Sequence, residues 1–135
     1  MKKNLFVLIF LFTALFVFQN FASAQKLTFC EGVSSDGSPI GKSSTFNIPA
    51  GGGYFYFLVN LRSEVNCAYV DYVVYKENSR GTMEYYTTYS QDDVKANWTW
   101  FWKKVTFYDA GYYRVDVVDC GSETIASSYL TVNYQ

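Results

Sequence analysis

Histidine is absent from this chain of 135 residues, and proline occurs only twice, at Pro39 and Pro49. Without histidine there is no Ser-His or Cys-His nucleophile pair and no common metal-ligand set. Only three cysteines are present, Cys30, Cys67 and Cys120, and none lies in a C-x-x-C spacing, so thiolate metal sites are disfavoured as well. Positive charge is sparse and scattered. Beyond the first three residues, Lys103-Lys104 is the sole adjacent basic pair. Nucleic acid and an anionic membrane surface are therefore poor guesses for a partner. Pro49-Ala50-Gly51-Gly52-Gly53 is not a phosphate loop, because no Lys-Ser/Thr follows and a strand pattern comes next.

A second long hydrophobic run is also missing, which sharpens the meaning of the first. Lys2 and Lys3 precede an almost unbroken apolar stretch from Leu5 to Phe18, and Ala22-Ser23-Ala24 closes it with small residues. That order is a secretory signal peptide over residues 1–24. The run is shorter than the roughly 18 to 20 residues of a membrane-spanning helix, so no membrane insertion is expected. Cleavage would leave one domain of 111 residues, from Gln25 to Gln135. It would carry nine basic residues against twelve acidic ones, a net charge of −3. No lipid anchor is expected, since Gln25 rather than a cysteine follows the cleavage site. The expected location is secreted or periplasmic.

Three cysteines in an oxidising compartment predict one disulfide and one remaining thiol. Sequence leaves three pairings open. We expect Cys30 with Cys120, because both fall at ends of predicted strands and the closed loop spans most of the domain.

The rest of the chain is dominated by period-two patterns. Gly53 to Leu61 places Phe55, Phe57 and Val59 on one face and Tyr54, Tyr56 and Leu58 on the other. Ala68 to Lys76, Thr82 to Tyr89, Trp98 to Tyr108, Tyr112 to Asp119 and Thr124 to Tyr134 read as further strands, with shorter ones at Lys26 to Val33 and Ser44 to Ile48. Turn residues separate them at 34–39, 49–53, 78–81 and 109–111. A short helical turn fits only around Gln91 to Ala96. The pattern predicts an all-β fold, an antiparallel sandwich of seven to eight strands. Its expected core is Phe55, Phe57, Val59, Val70, Val74, Val115, Val117, Leu130 and Val132.

Asp109-Ala110-Gly111-Tyr112-Tyr113 resembles the Asp-x-Gly-x-Tyr corner of immunoglobulin-like domains. Val115 stands where an antibody-type domain carries its second core cysteine, so the chain is more similar to bacterial immunoglobulin-like and PKD-like modules. The resemblance runs from Val105 to Val132. It implies an immunoglobulin-like sandwich in which Asp109, Gly111 and Tyr113 are structural, and it implies no particular activity.

All 13 tyrosines and all three tryptophans follow residue 24. On one strand, Trp98, Trp100 and Trp102 share a face, opposite Phe101, Val105 and Phe107. Two arrangements are open, with an intermediate between them in which one indole is buried and the others lie at the rim. With the phenylalanines inward, the indoles form an exposed ladder on which a sugar or a protein partner stacks. With a bulge at Lys103-Lys104, the faces swap and the indoles enter the core. Tyr85, Tyr86 and Tyr89 are expected as neighbours of the ladder on the adjoining strand. The carboxylates of Asp71, Glu84, Asp116 and Asp119 are read as solvated strand positions rather than a glycosidase pair. Asn97-Trp98-Thr99 matches a glycosylation sequon, and Asp36 lacks the run of oxygen ligands of a calcium loop. The sequence thus points to a non-enzymatic binding or accessory module without cofactor or metal. Its expected partner is a protein or cell-surface component, and the alternative is a glycan.

Overall fold

A computed structural model describes residues 26–135, and the signal peptide expected over residues 1–24 lies outside the described residues. The described residues form ten strands and no helix: β1 (Lys26–Cys30), β2 (Gly32–Val33), β3 (Pro39–Ile40), β4 (Thr45–Ile48), β5 (Gly53–Asn60), β6 (Val70–Glu77), β7 (Met83–Gln91), β8 (Trp100–Phe107), β9 (Gly111–Val118) and β10 (Thr124–Tyr134). They build a three-stranded sheet in the order β1-β5-β8, a five-stranded sheet in the order β4-β10-β9-β6-β7, and the two-stranded hairpin β2-β3. All pairs are antiparallel except β4, which runs parallel to β10.

Two of the ten strands come from a segment expected to be continuous. The chain breaks at Glu31, and β2 then pairs with β3 rather than extending β1. Pro39 is tolerated there because the strand lies at an edge. No helical turn forms over Gln91–Ala96. A tight turn with the Trp98 amide donating to the Lys95 carbonyl at 3.0 Å leads into β8 instead.

Alternation places the core where the pattern predicts. All nine expected core residues are buried, joined by Leu27, Phe29, Tyr72, Phe101, Val105, Phe107 and Tyr113 among others. β5 and β8 supply one wall, while β6, β9 and β10 supply the other. Rings fill the middle: Phe55 stacks on Phe107 at 5.0 Å, and Phe107 meets Tyr113 edge-on at 5.1 Å.

Cys30 and Leu58 are wholly buried yet stand apart from that cluster. They point from the outward face of the three-stranded sheet, since Phe29, Phe57 and Val59 take the inward positions. The β2-β3 hairpin closes over this small second cluster, and the Cys30 thiol donates to the Tyr56 carbonyl at 3.9 Å. Burial pushes that thiol above its ordinary pKa.

The disulfide is Cys67–Cys120, not Cys30–Cys120, and Cys30 is the free cysteine. The correction follows from strand neighbours. β6 and β9 are paired with Asp71 opposite Val118, so the loop before β6 and the hairpin after β9 emerge side by side. Cys30 belongs to the other sheet, under its own cover.

Two measurements check this packing. Val115→Ala removes wholly buried methyl groups and should cost about 1 to 3 kcal/mol in denaturant unfolding; a loss below about half a kcal/mol would show the face assignment to be wrong. Peptide mapping without reduction should link Cys67 to Cys120. Reducing that link, which closes a separation of 53 residues, should cost roughly 4 kcal/mol by the chain-entropy estimate. A peptide linked through Cys30 would contradict the assignment.

Candidate functional site

The turn at residues 108–111 is tied down by tyrosines. The Tyr113 hydroxyl donates to the Asp109 carbonyl at 2.6 Å, and the Asp109 carboxylate accepts from the Tyr86 hydroxyl. Tyr86 and Tyr113 meet edge-on at 5.5 Å, and the Lys76 ammonium lies over both rings at 5.6 and 5.9 Å. A Cβ at Gly111 would sit 2.8 Å from Lys76 Cε and 3.3 Å from the Tyr113 ring, so a side chain there would displace the lysine from over the two tyrosines. Asp109, Gly111 and Tyr113 thus form one structural unit.

β8 pairs with β5 in an uninterrupted register from Gly53–Phe107 to Asn60–Trp100, so there is no bulge at Lys103-Lys104. Phe101, Val105 and Phe107 point inward, and Trp100, Trp102 and Lys104 point outward. The three indoles nevertheless occupy three environments. Trp98 precedes the strand and packs against the core. Trp100 is half-buried, with one side against Gly37 of the β2-β3 turn, where a Cβ would lie 2.8 Å from the ring. Trp102 is 45% exposed and touches Tyr56 edge-on at 5.4 Å. A three-ring outward ladder does not form, because the chain enters β8 only at Trp100. The indoles instead line a cleft of about 480 Å³ between the 91–99 connection and the start of β8.

β7 does not adjoin β8 in a sheet. It pairs with β6 at the edge of the five-stranded sheet, and a register shift leaves Tyr86 unpaired between Tyr75–Tyr85 and Val74–Thr87. The tyrosines expected beside the ladder therefore separate. Tyr86 turns to Asp109, and the Tyr89 hydroxyl donates to the Thr106 carbonyl at 3.3 Å. Gln91, also on β7, donates to the Trp102 carbonyl at 2.9 Å and accepts from the buried Tyr72 hydroxyl at 2.7 Å. These side chains satisfy backbone acceptors along the open edge of β8. Only Tyr85 remains outward, 64% exposed.

Tyr85 belongs to an aromatic row across the outer face of the five-stranded sheet. Tyr129 of β10, Arg114 of β9, Tyr75 of β6 and Tyr85 of β7 are successive cross-strand partners. The Arg114 guanidinium lies 4.3 Å from the Tyr75 ring centre, Tyr75 meets Tyr85 edge-on at 6.4 Å, and Tyr112 stacks on Tyr129 at 5.6 Å. Arg114 Nε approaches Asp116 at 3.3 Å as an ion pair without hydrogen-bond geometry. Sequence reading singled out neither Arg114 nor Tyr112 nor Tyr129. The hairpin at 119–123 signals that β9 and β10 pair, but a register shift at Ile125 is what places Tyr129 opposite Arg114, and no residue type marks that shift.

The candidate acid groups are each occupied locally. Asp71 accepts from Ser90, Asp116 from Ser127, Glu84 from Asn78, and Asp119 from the amides of Gly121 and Glu123. Among the described residues no group of three or more Asp, Glu, Cys or His side chains is placed to hold a metal ion, and no helix is long and apolar enough to cross a membrane. No protein-family model matches the chain, and no curated protein matches it.

The tyrosine cluster generates a prediction about stability and pH. Tyr113→Phe should cost about 1 to 2 kcal/mol, the value of one buried hydroxyl with its partner. The hydrogen bond to Asp109 pushes Tyr86 up to about 12, and burial raises Tyr113 and Tyr72 further. A tyrosine raised in the folded state stabilises it fully below the unfolded value near 10, where both states are protonated. Above that, the unfolded chain loses protons first, so unfolding free energy should fall as pH rises from about 10 towards 12. A flat profile across that window in denaturant titrations would contradict the cluster.

Proposed function

We propose that this chain is a secreted or periplasmic immunoglobulin-like module that binds a protein partner and performs no catalysis itself. The strand order supports the immunoglobulin-like reading: β1-β5-β8 opposes a sheet in which β9 and β10 continue into β6 and β7. The tie from the Tyr113 hydroxyl to the Asp109 carbonyl supports it too. Val115 in place of a core cysteine sets it apart from antibody-type domains, and its disulfide staples loops at one end instead. A structural disulfide also fits an oxidising compartment.

One observation carries the binding reading: the row Tyr129-Arg114-Tyr75-Tyr85, with Tyr112 beside it, on the open face of the larger sheet. Tyrosine and arginine give large contact area for little lost side-chain freedom, and they dominate binding hot spots. Arg114 is held over the Tyr75 ring, which orders its planar fork before any partner arrives. That fork suits a carboxylate on an otherwise apolar protein surface.

The test uses immobilised protein and the extracellular fraction of its source. Wild type should retain a specific protein, whereas Arg114→Glu combined with Tyr129→Ala should lose it while melting as wild type does. Equal retention by both would place the binding surface elsewhere.

A further inference from the structure

We infer that the cleft beside the tryptophans is a second, separate binding site, and that its ligand is an uncharged sugar ring. Its walls include Trp98, Trp100 and Trp102, with Gln91, Asp93 and Asn97 around them. At about 480 Å³ it lies in the size class of small-molecule sites, roughly 300–1,000 Å³.

The indoles are fixed before a ligand arrives. Trp98 packs on the core, Gly37 backs Trp100, and Tyr56 braces Trp102 from its edge. Gly37 has φ +84°, a backbone that favours glycine, so the turn lies flat on the ring without a side chain between them. Trp100 and Trp102 are two residues apart on one strand face, about 7 Å along the chain. Flat, weakly solvated aromatic faces at that spacing suit the C–H faces of pyranose rings, which are apolar while their hydroxyls radiate outward.

The polar groups divide into used and unused ones. Both ends of the Gln91 amide are occupied, by Tyr72 and by the Trp102 carbonyl, so Gln91 holds the wall in place. Asp93 and Asn97 are exposed at the rim and make no hydrogen bond within the described residues. A carboxylate and a carboxamide in the same cleft as the indoles offer acceptors and donors to the hydroxyls of a stacked ring. Asp93 is the one charged group lining the cleft. The neighbouring ammonium of Lys104 is engaged 3.8 Å over the Tyr54 ring, and Lys103 points to the opposite face of the strand. An acidic sugar would meet like charge from the one charged lining residue, which favours neutral sugars.

The experiment titrates the secreted chain with short neutral oligosaccharides of gluco, manno, galacto and N-acetylglucosamine type, and with an oligogalacturonate, following tryptophan fluorescence and heat. At least one neutral series should shift the emission and bind more tightly than the acidic one. Trp102→Ala should weaken that binding about tenfold, with the far-ultraviolet spectrum unchanged because the ring is largely on the surface. Asn97→Ala, on an exposed turn, gives a second reading should Trp102→Ala melt early, and it should weaken binding several-fold. Arg114→Glu should leave sugar binding intact, which separates this site from the tyrosine face. Three results would overturn the inference: no neutral oligosaccharide binding at millimolar concentration, tighter binding of the oligogalacturonate, or binding indifferent to both cleft variants.

Discussion

The spacing of the two sheets depends on a connected set of aromatic rings. Phe46 stacks on Phe55 at 4.4 Å, Phe55 on Phe107, and Phe107 contacts Tyr113; Phe57 reaches both Phe29 and Tyr72 at 5.3 Å. Each ring occupies the inward position of its strand, so each fixes the outward position of its neighbours. Once Phe55 and Phe57 are inside, Tyr54 and Tyr56 must be outside. Once Phe101 is inside, Trp100 and Trp102 must be outside. The aromatic surface is thus the obligatory reverse of an aromatic core, and both candidate faces are consequences of that phase.

This also explains what was legible in the sequence. Phase is a local property, so Phe55, Phe57, Val59, Val115 and Val132 could be placed from alternation alone, and Tyr113 from its turn. Sheet membership is not local. Alternation assigns Tyr85, Tyr86 and Tyr89 to a strand but does not say that this strand pairs with β6 rather than β8. The bulge falls at Tyr86, where no glycine or charge marks it, and not at Lys103-Lys104, where two lysines invited it. The cysteine pairing failed for the same reason. Cys30 ends β1 and Cys120 lies in the turn after β9, in different sheets, and the β6-β9 register brings Cys67 to Cys120.

The two surfaces differ in how they are held. On the five-stranded sheet, Tyr129, Arg114, Tyr75 and Tyr85 sit on four paired strands, so their spacing is set by backbone hydrogen bonds. The cleft is held by side chains and turns: Gly37 against Trp100, and Gln91 between Tyr72 and β8. The first suits a broad, flat contact and the second a small, shaped one.

The cover over Cys30 has a bearing on how the disulfide is kept. Exchange of a disulfide needs an accessible thiolate. In the finished fold Cys30 is wholly buried with a raised pKa, so it is a poor attacker of the Cys67–Cys120 bond. By covering Cys30 on the outer side of the three-stranded sheet, the β2-β3 hairpin takes the third sulfur out of exchange, so the folded chain holds the Cys67–Cys120 bond without a competing thiolate.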